Sequence, residues 1–151
     1  MASFRSLLVP IDGSEPSDAA RALAIRLAVD TGASLVFANV VETDKIVASA
    51  MPGQGLADPT PAIDALRAAG TDMLKDADAS ATAAGARTTS VLLEGDSIEM
   101  IVEYAGAHAV DLIVIGSHGR SGLQRLMLGS VAEGVLRHSS VPVLVTKAPK
   151  A

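Results

Sequence analysis

Residues 111–120 read Asp-Leu-Ile-Val-Ile-Gly-Ser-His-Gly-Arg, and this stretch decides the predicted fold. Its first half, residues 111–115, is short, almost entirely apolar and rich in β-branched side chains. Continuous rather than alternating apolarity indicates a strand that is covered on both faces, as in a parallel sheet. Gly116 follows at once, so the stretch predicts a buried strand that leads directly into a glycine-containing loop.

Runs of the same character occur on both sides of this stretch. We predict further buried strands at residues 6–11, 34–41 and 141–146, and a weaker, more polar strand at 88–93. Helix patterns fill the intervals at residues 16–31, 61–84, 97–107 and 131–138. Strands that alternate with helices predict right-handed crossovers and a parallel α/β sheet.

The predicted helices carry start and stop signals. The expected N-terminal caps are Ser14, Thr60, Asp96 and Ser130, and the expected stops are Gly32 and Gly85. Asp96 with Glu99 resembles a capping box, and Ser130 with Glu133 has that pattern in full. These signals place the beginning of the last helix at residue 131, directly after Ser130.

Two segments do not fit the alternation of strands and helices. Residues 42–59 hold Pro52, Gly53, Gly55 and Pro59, which predicts a long mobile loop. Residues 147–151 are expected to form a flexible tail. With 151 residues in all, the chain is predicted to form a single domain.

Composition excludes several classes of function. The net charge is −5 and only Phe4, Phe37 and Tyr104 are aromatic, which argues against nucleic acid and against an anionic membrane surface as partners. The chain has no cysteine, so disulfides and zinc–cysteine sites are excluded. We find no signal peptide and no apolar run of the roughly 18 residues that span a bilayer. A cytoplasmic location is the resulting expectation.

A glycine pattern follows the strand at 111–115. Gly116, Gly119, Gly129 and Ser130 give the spacing G-x2-G-x9-G-S. Glycines let backbone N–H groups approach a ligand closely, and a helix N-terminus favours an anion. The pattern therefore predicts a phosphate-binding loop; the alternative is a flexible connection that ends in a capped helix.

Asp12 follows the first predicted strand, in the sequence Val9-Pro10-Ile11-Asp12-Gly13-Ser14. In an open α/β sheet, ligands bind beyond the carboxyl ends of the strands, where the strand order reverses. Asp12 is therefore a candidate for contact with ribose hydroxyls or with a metal-bound water. The alternative is that it only ties the turn through Gly13.

Other side chains near the loop have open roles. His118 fits loop packing better than catalysis, and Arg120 and Arg125 are candidates for neutralising phosphate. The P-loop motif G-x4-G-K-[ST] and the dinucleotide motif G-x-G-x-x-G after the first strand are both absent. The nucleophile elbow G-x-S-x-G and the zinc motif H-E-x-x-H are absent as well.

Taken together, these stretches resemble the universal stress protein family over essentially the whole chain. The resemblance rests on residues 7–14, on Glu94-Gly95, on residues 111–119 and on residues 140–145. The spacing G-x2-G-x9-G-[ST] resembles the ATP-binding branch of the family. The resemblance implies an open five-stranded sheet of order 3-2-1-4-5 with helices on both faces, Rossmann-like and similar to the adenine nucleotide alpha hydrolases.

The resemblance also implies ligands and their residues. ATP is the expected nucleotide, and Mg²⁺ is expected to bridge its phosphates. Asp12 would contact the nucleoside, the backbone near Val40 and Val41 would meet adenine, and the glycine loop would hold ribose and phosphates. The full set of expected nucleotide-binding residues is Pro10, Asp12, Val40, Val41, Gly116, Gly119, Arg120, Gly129, Ser130 and Val131.

The last predicted strand bears on assembly. An apolar strand at a sheet edge is an association hazard unless it is covered, and the family resemblance implies cover by residues 141–146 of a second subunit.

Three functions then remain open: a homodimeric nucleotide-dependent regulator with an unidentified downstream partner, a slow ATP hydrolase or autophosphorylating enzyme, and a dimeric interaction module.

Overall fold

The computed structural model describes residues 4–49, 58–118 and 128–147. Strands and helices follow one another in the predicted alternation, with one additional short helix. The strands are β1 (Ser6–Pro10), β2 (Ser34–Val41), β3 (Arg87–Glu94), β4 (Leu112–Gly116) and β5 (Val143–Thr146). The helices are α1 (Glu15–Thr31), α2 (Thr43–Ser49), α3 (Thr60–Ala83), α4 (Ser97–Ala107) and α5 (Ser130–His138).

The five strands form one parallel sheet in the order β3-β2-β1-β4-β5, which confirms the predicted topology. In register, Leu8 of β1 lies beside Val36 of β2 on one side and Ile113 of β4 on the other. The chain moves outward from β1 to β3 and then crosses back to β4. The strand order therefore reverses between β1 and β4, and their carboxyl ends open at the same edge of the sheet.

Apolar side chains cover both faces of this sheet. On one face, Leu7, Val9 and Phe37 pack against buried alanines of α1 and against Leu74 of α3. On the other face, Leu8 and Ile113 pack against α4 and α5, with Val135 fully buried. Each fully buried aliphatic or aromatic side chain contributes about 1.5–3 kcal/mol. The alternation of Leu7, Leu8 and Val9 between faces confirms that β1 is covered on both sides.

Two helix starts agree with the sequence prediction. The Ser14 side chain accepts a hydrogen bond from the Ser17 N–H at the start of α1, and Asp96 accepts from the Glu99 N–H at the start of α4. Gly32 ends α1 in the left-handed conformation, with φ of 77°, and its N–H donates to the Ala28 carbonyl. A glycine adopts this conformation without steric cost, which is why α1 ends there.

Two other predicted caps are wrong. Ser130 is the first residue of α5, and Gly129 is the N-cap, with no cap hydrogen bond from a described side chain. Thr60 is likewise the first residue of α3, and the N-cap is Pro59. Asp58 accepts a hydrogen bond from the Thr60 N–H and closes the turn before α3. In both cases the helix begins one residue earlier than the side-chain pattern suggests.

The prediction of a long loop over residues 42–59 is wrong at its beginning. Residues Thr43–Ser49 form α2, none of whose residues is buried, and residues 50–57 lie outside the described ranges. The glycines and prolines that predicted a loop all lie at position 52 or later. Residues 43–49 contain neither residue type, so nothing in that stretch breaks a helix.

The strand ends also shift slightly. β5 begins at Val143 rather than at residue 141, so Pro142 precedes the strand instead of lying within it. The Pro142 carbonyl accepts a hydrogen bond from the Ile113 N–H at 2.9 Å. A proline at this place costs no ladder bond, since its missing N–H is not required before the strand.

In the part of the chain that is described, no helix is both long enough and apolar enough to cross a membrane.

Candidate functional site

A cleft opens at the carboxyl ends of β1, β2 and β4, where the strand order reverses. It consists of two cavities of about 90 and 340 Å³, and Asp12, Val40, Ser97 and Val131 line both of them. Clefts at such a reversal are the usual ligand sites of open α/β sheets. The larger volume is within the range of small-molecule sites.

The structure brings the predicted site residues together wherever it describes them. The smaller cavity is lined by Pro10, Asp12, Val40, Gly116 and Val131. The larger cavity is lined by Asp12, Val40, Val41, Gly129, Ser130 and Val131. Gly119 and Arg120, predicted to be phosphate contacts, lie outside the described residues, as does Arg125.

Asp12 ties the turn after β1 and also lies at the cleft. Its backbone N–H donates to the Ser17 hydroxyl at 3.0 Å, and its Oδ1 accepts from the Ser14 N–H at 2.9 Å. These bonds tie the turn between β1 and α1, which is the purely structural role. Asp12 also lines both cavities, so the same turn holds a carboxylate at the cleft.

Gly116 is a glycine for a reason that the sequence did not reveal. A Cβ built at this position would lie 2.6 Å from the Pro16 carbonyl carbon and 2.8 Å from the Ser17 nitrogen. Real Cβ atoms do not approach backbone so closely, so the first turn of α1 occupies the side-chain space of Gly116. Close packing of helix and strand therefore accounts for this glycine without a ligand.

The N-terminus of α5 faces the cleft through Gly129, Ser130 and Val131. Gly129 is extended, with φ of −64° and ψ of 156°, and its N–H donates to the Ser117 carbonyl at 2.6 Å. The first intrahelical bond runs from the Glu133 N–H to the Gly129 carbonyl. The N–H groups of residues 130–132 precede that bond, so they and the helix dipole are available to an anion.

A small polar network at the mouth of the cleft was missed from the sequence. Glu42 accepts from the Ser97 hydroxyl and from Lys45 Nζ, each at 2.8 Å, and all three residues line the larger cavity. The hydrogen bond from Lys45 to Glu42, followed by their charge attraction, raises the pKa of Lys45. One available signal was the position of Glu42, which follows β2 as Asp12 follows the β1 region.

His118 lines the smaller cavity beside Gly116. Its Nδ1 lies 3.2 Å from the Ser117 hydroxyl oxygen. Its Nε2 is buried and has no hydrogen-bond partner in the described parts of the chain. The imidazole therefore has one buried polar atom without a partner among the described residues.

The described ranges contain no group of three or more histidine or acidic side chains that could hold a metal ion. The carboxylates that line the cleft are Asp12 and Glu42, and Glu42 is already bonded to Lys45 and Ser97. Magnesium is commonly held by one or two carboxylates together with substrate phosphates and waters. The cleft therefore fits a metal that arrives with a phosphate ligand and not a preformed protein cage.

Comparison with known proteins agrees with this fold. A model of the universal stress protein family matches residues 3–147 of the chain. Universal stress protein MJ0531 of Methanocaldococcus jannaschii is 35% identical over 147 residues, which cover 97% of this chain and 84% of that protein.

Two solved structures are similar over their full length. Universal stress protein UspA from Lactobacillus plantarum has a TM-score of 0.85 and 26% identity, covering 97% of this chain and 99% of that one. A universal stress protein in complex with cAMP has a TM-score of 0.68 and 28% identity, covering 98% of this chain and 100% of that one. With a family model matched over nearly its whole length, the chain belongs to the universal stress protein family.

Proposed function

We propose that the chain binds ATP, together with Mg²⁺, in the cleft at the carboxyl ends of β1, β2 and β4. The observation that carries the proposal is the composition of that cleft. The larger cavity combines apolar walls, which include Val40, Leu66 and Met73, with the N-terminus of α5 at Gly129 and Ser130. A nucleotide has the matching polarity, with a flat base at one end and anionic phosphates at the other.

Each predicted residue has a role in this proposal. The backbone of Val40 and Val41 meets the base, and Pro10 and Asp12 contact the nucleoside. Gly116, Gly119, Arg120, Gly129, Ser130 and Val131 line the ribose and phosphates. Mg²⁺ would neutralise phosphate charge, and Asp12 is the protein carboxylate at the cleft that would help to hold it beside the phosphate oxygens.

A nucleotide as the ligand class has independent support. The similar universal stress protein solved with cAMP binds a phosphate-bearing adenine compound and covers this chain almost completely. That likeness supports adenine and phosphate, which cAMP and ATP share. The choice of ATP rests on the G-x2-G-x9-G-S spacing from Gly116 to Ser130.

We assign the nucleotide a regulatory role in a cytoplasmic homodimer. Occupancy would alter how the loop after Gly116 and the helix α2 are presented to a downstream protein, since α2 borders the cleft through Lys45. Amide hydrogen exchange tests this switch. We expect saturating ATP to slow amide exchange in α2. Unchanged exchange in α2 would reject the switch, although the protein could still bind the nucleotide.

The dimer is proposed to form through β5. In the described sheet β5 is an edge strand of sequence Val-Leu-Val-Thr, with Leu144 36% exposed. The opposite edge strand, β3, begins at Arg87, ends at Glu94 and has polar residues at 88–90. Charged and polar edges resist pairing, whereas apolar edges favour it. The contrast supports β5 as the edge that a second copy covers.

Isothermal titration of nucleotide-stripped protein tests the binding proposal. We expect ATP with Mg²⁺ to bind at micromolar or lower concentration and more tightly than GTP. Absence of binding by folded protein would reject the proposal and favour a dimeric interaction module instead.

A slow ATP hydrolase is a second candidate, favoured by the uncommitted Nε2 of His118 in the cleft. In this role the imidazole would orient a water toward the terminal phosphate. Phosphate release by the wild type should then exceed that of His118→Gln at equal nucleotide occupancy. Equal rates in the two proteins would remove this candidate and leave the binding proposal intact.

A further inference from the structure

Asn39 is a polar residue in an otherwise apolar stretch of β2, and it is only 8% exposed. Its side-chain Nδ2 donates to the Ile11 carbonyl at 2.9 Å and lies 3.8 Å from the Met73 sulfur. A carbonyl oxygen can only accept a hydrogen bond, so this contact fixes which end of the amide points to Ile11. Because Nδ2 is the end that points to Ile11, Oδ1 is the end of the amide that points away from it.

Oδ1 of Asn39 has no hydrogen-bond partner among the described residues. It lies against α3 at Gly70, where a Cβ, if present, would overlap it. Asn39, Gly70 and Met73 all line the larger cavity. Asn39 as a residue is largely shielded from water, so a ligand that donates a hydrogen bond to its unpartnered oxygen gains more than it would at an open surface.

The surroundings of Asn39 select the shape of that ligand. The cavity that Asn39 lines is also lined by the apolar residues Val40, Val41, Leu66, Ala69 and Met73. The N-terminus of α5, which suits phosphates, lines the same cavity. A planar ring fits between apolar walls, and an unpartnered acceptor on a residue that lines the cavity can bind a donor on the edge of that ring.

We propose that Asn39 Oδ1 accepts a hydrogen bond from the exocyclic amine of an aminopurine and thereby determines base specificity. The inference rests on the proposed nucleotide function and adds to it a residue that reads the base. Gly70 contributes to this contact as well, because a side chain at position 70 would overlap Asn39 Oδ1. Glu42 also lines the cavity, but Lys45 and Ser97 already occupy its carboxylate.

The test compares two ligands that differ only at the proposed contact. ATP carries the amine, and purine riboside 5′-triphosphate carries a hydrogen atom in its place. For the wild type with Mg²⁺, we expect the purine riboside triphosphate to bind about ten- to a hundredfold more weakly than ATP. Because both ligands have the same ribose and phosphates, this ratio isolates the contact to the base.

Two variants show whether Asn39 is the acceptor. Asn39→Leu keeps the side-chain volume and removes the oxygen, so the ratio between the two ligands should fall close to one. Gly70→Ala keeps the amide but displaces Oδ1, and the ratio should fall there as well. A merely structural role of Asn39 would weaken both ligands equally and leave the ratio unchanged. Thermal unfolding of each variant identifies loss of fold. Without any variant, equal binding of the two ligands by the wild type is enough to overturn the inference.

Each outcome has a distinct meaning. If folded wild type binds neither nucleotide, both the proposed function and this inference fail. If it binds the two nucleotides equally, nucleotide binding stands and the role of Asn39 is overturned. If the preference for ATP persists in Asn39→Leu, another acceptor reads the amine and the inference is likewise overturned.

Discussion

Gly116 lies where the first turn of α1 meets the end of β4, with no room for a side chain. We predict that Gly116→Ala lowers the free energy of unfolding by about 1–3 kcal/mol, because the methyl group forces α1 and β4 apart. Urea denaturation followed by circular dichroism measures the change. Any loss of nucleotide binding in this variant is then a secondary effect of displaced structure.

Gly106 of α4 is the matched control for this substitution. Nothing lies within 4 Å of a Cβ built there, and the residue is within a helix. Gly106→Ala should raise the free energy of unfolding by about 0.5–1 kcal/mol, since alanine favours the helix. Equal stability of Gly116→Ala and the wild type would contradict the packing explanation.

The caps of α4 and α5 give a second prediction at single residues. Asp96 Oδ1 accepts from the Glu99 N–H at 3.0 Å, so Asp96→Ala should cost about 1 kcal/mol of stability. Ser130 is within α5 and is not its cap, so Ser130→Ala should cost less than half as much. Denaturation of both variants under one set of conditions provides the comparison. Equal losses would mean that the Ser130 hydroxyl does cap α5.

At the scale of elements, β5 has one side that faces away from β4. The Ile113 and Ser117 N–H groups donate to the carbonyls of Pro142 and Thr146. Because backbone groups alternate in direction along a strand, those of Val143 and Val145 point outward. Val145→Pro therefore removes an outward donor without breaking the ladder to β4. We predict a folded monomer for this variant and a dimer for the wild type.

Light scattering during size-exclusion chromatography at micromolar concentration measures the two masses. Val145→Thr keeps the donor and the branched shape, so it should remain dimeric. A wild-type monomer would reject the β5 interface outright. If Val145→Pro is dimeric, the dimer interface lies on a surface other than the β5 edge.

A helix or strand could be predicted from the sequence where its own residues carry a recognisable pattern. The buried strands β1, β2 and β4 follow from continuous apolar runs, whereas β3 is more polar because it is an edge strand. The helix α2 was missed because no residue in it is buried, and a helix without a buried face leaves no periodic pattern. The cap of α5 was misplaced because Ser130 and Glu133 satisfy the cap pattern one residue too late.

At the scale of the whole molecule, the candidate site was predictable in part. Asp12, Val40 and Gly116 were found because residues at the ends of parallel strands share one edge of the sheet. Asn39 and Gly70 were not found, because their relation depends on how α3 packs on β2. No local pattern reports the contact of a strand side chain with a helix glycine 31 positions away.

The central claim is that phosphates bind at the N-terminus of α5, and a pair of substitutions at Gly129 tests it. Asp and Asn have the same shape and both favour the N-cap, so each should keep or slightly raise stability. Only Asp places a negative charge where the phosphates are proposed to lie.

The first measurement is therefore isothermal titration of the wild type, Gly129→Asn and Gly129→Asp with ATP and Mg²⁺. We predict tight binding by the wild type, and binding by Gly129→Asp at least about tenfold weaker than by Gly129→Asn, through charge repulsion near the helix terminus. Equal affinities of the two variants, or no binding by the folded wild type, would contradict the claim.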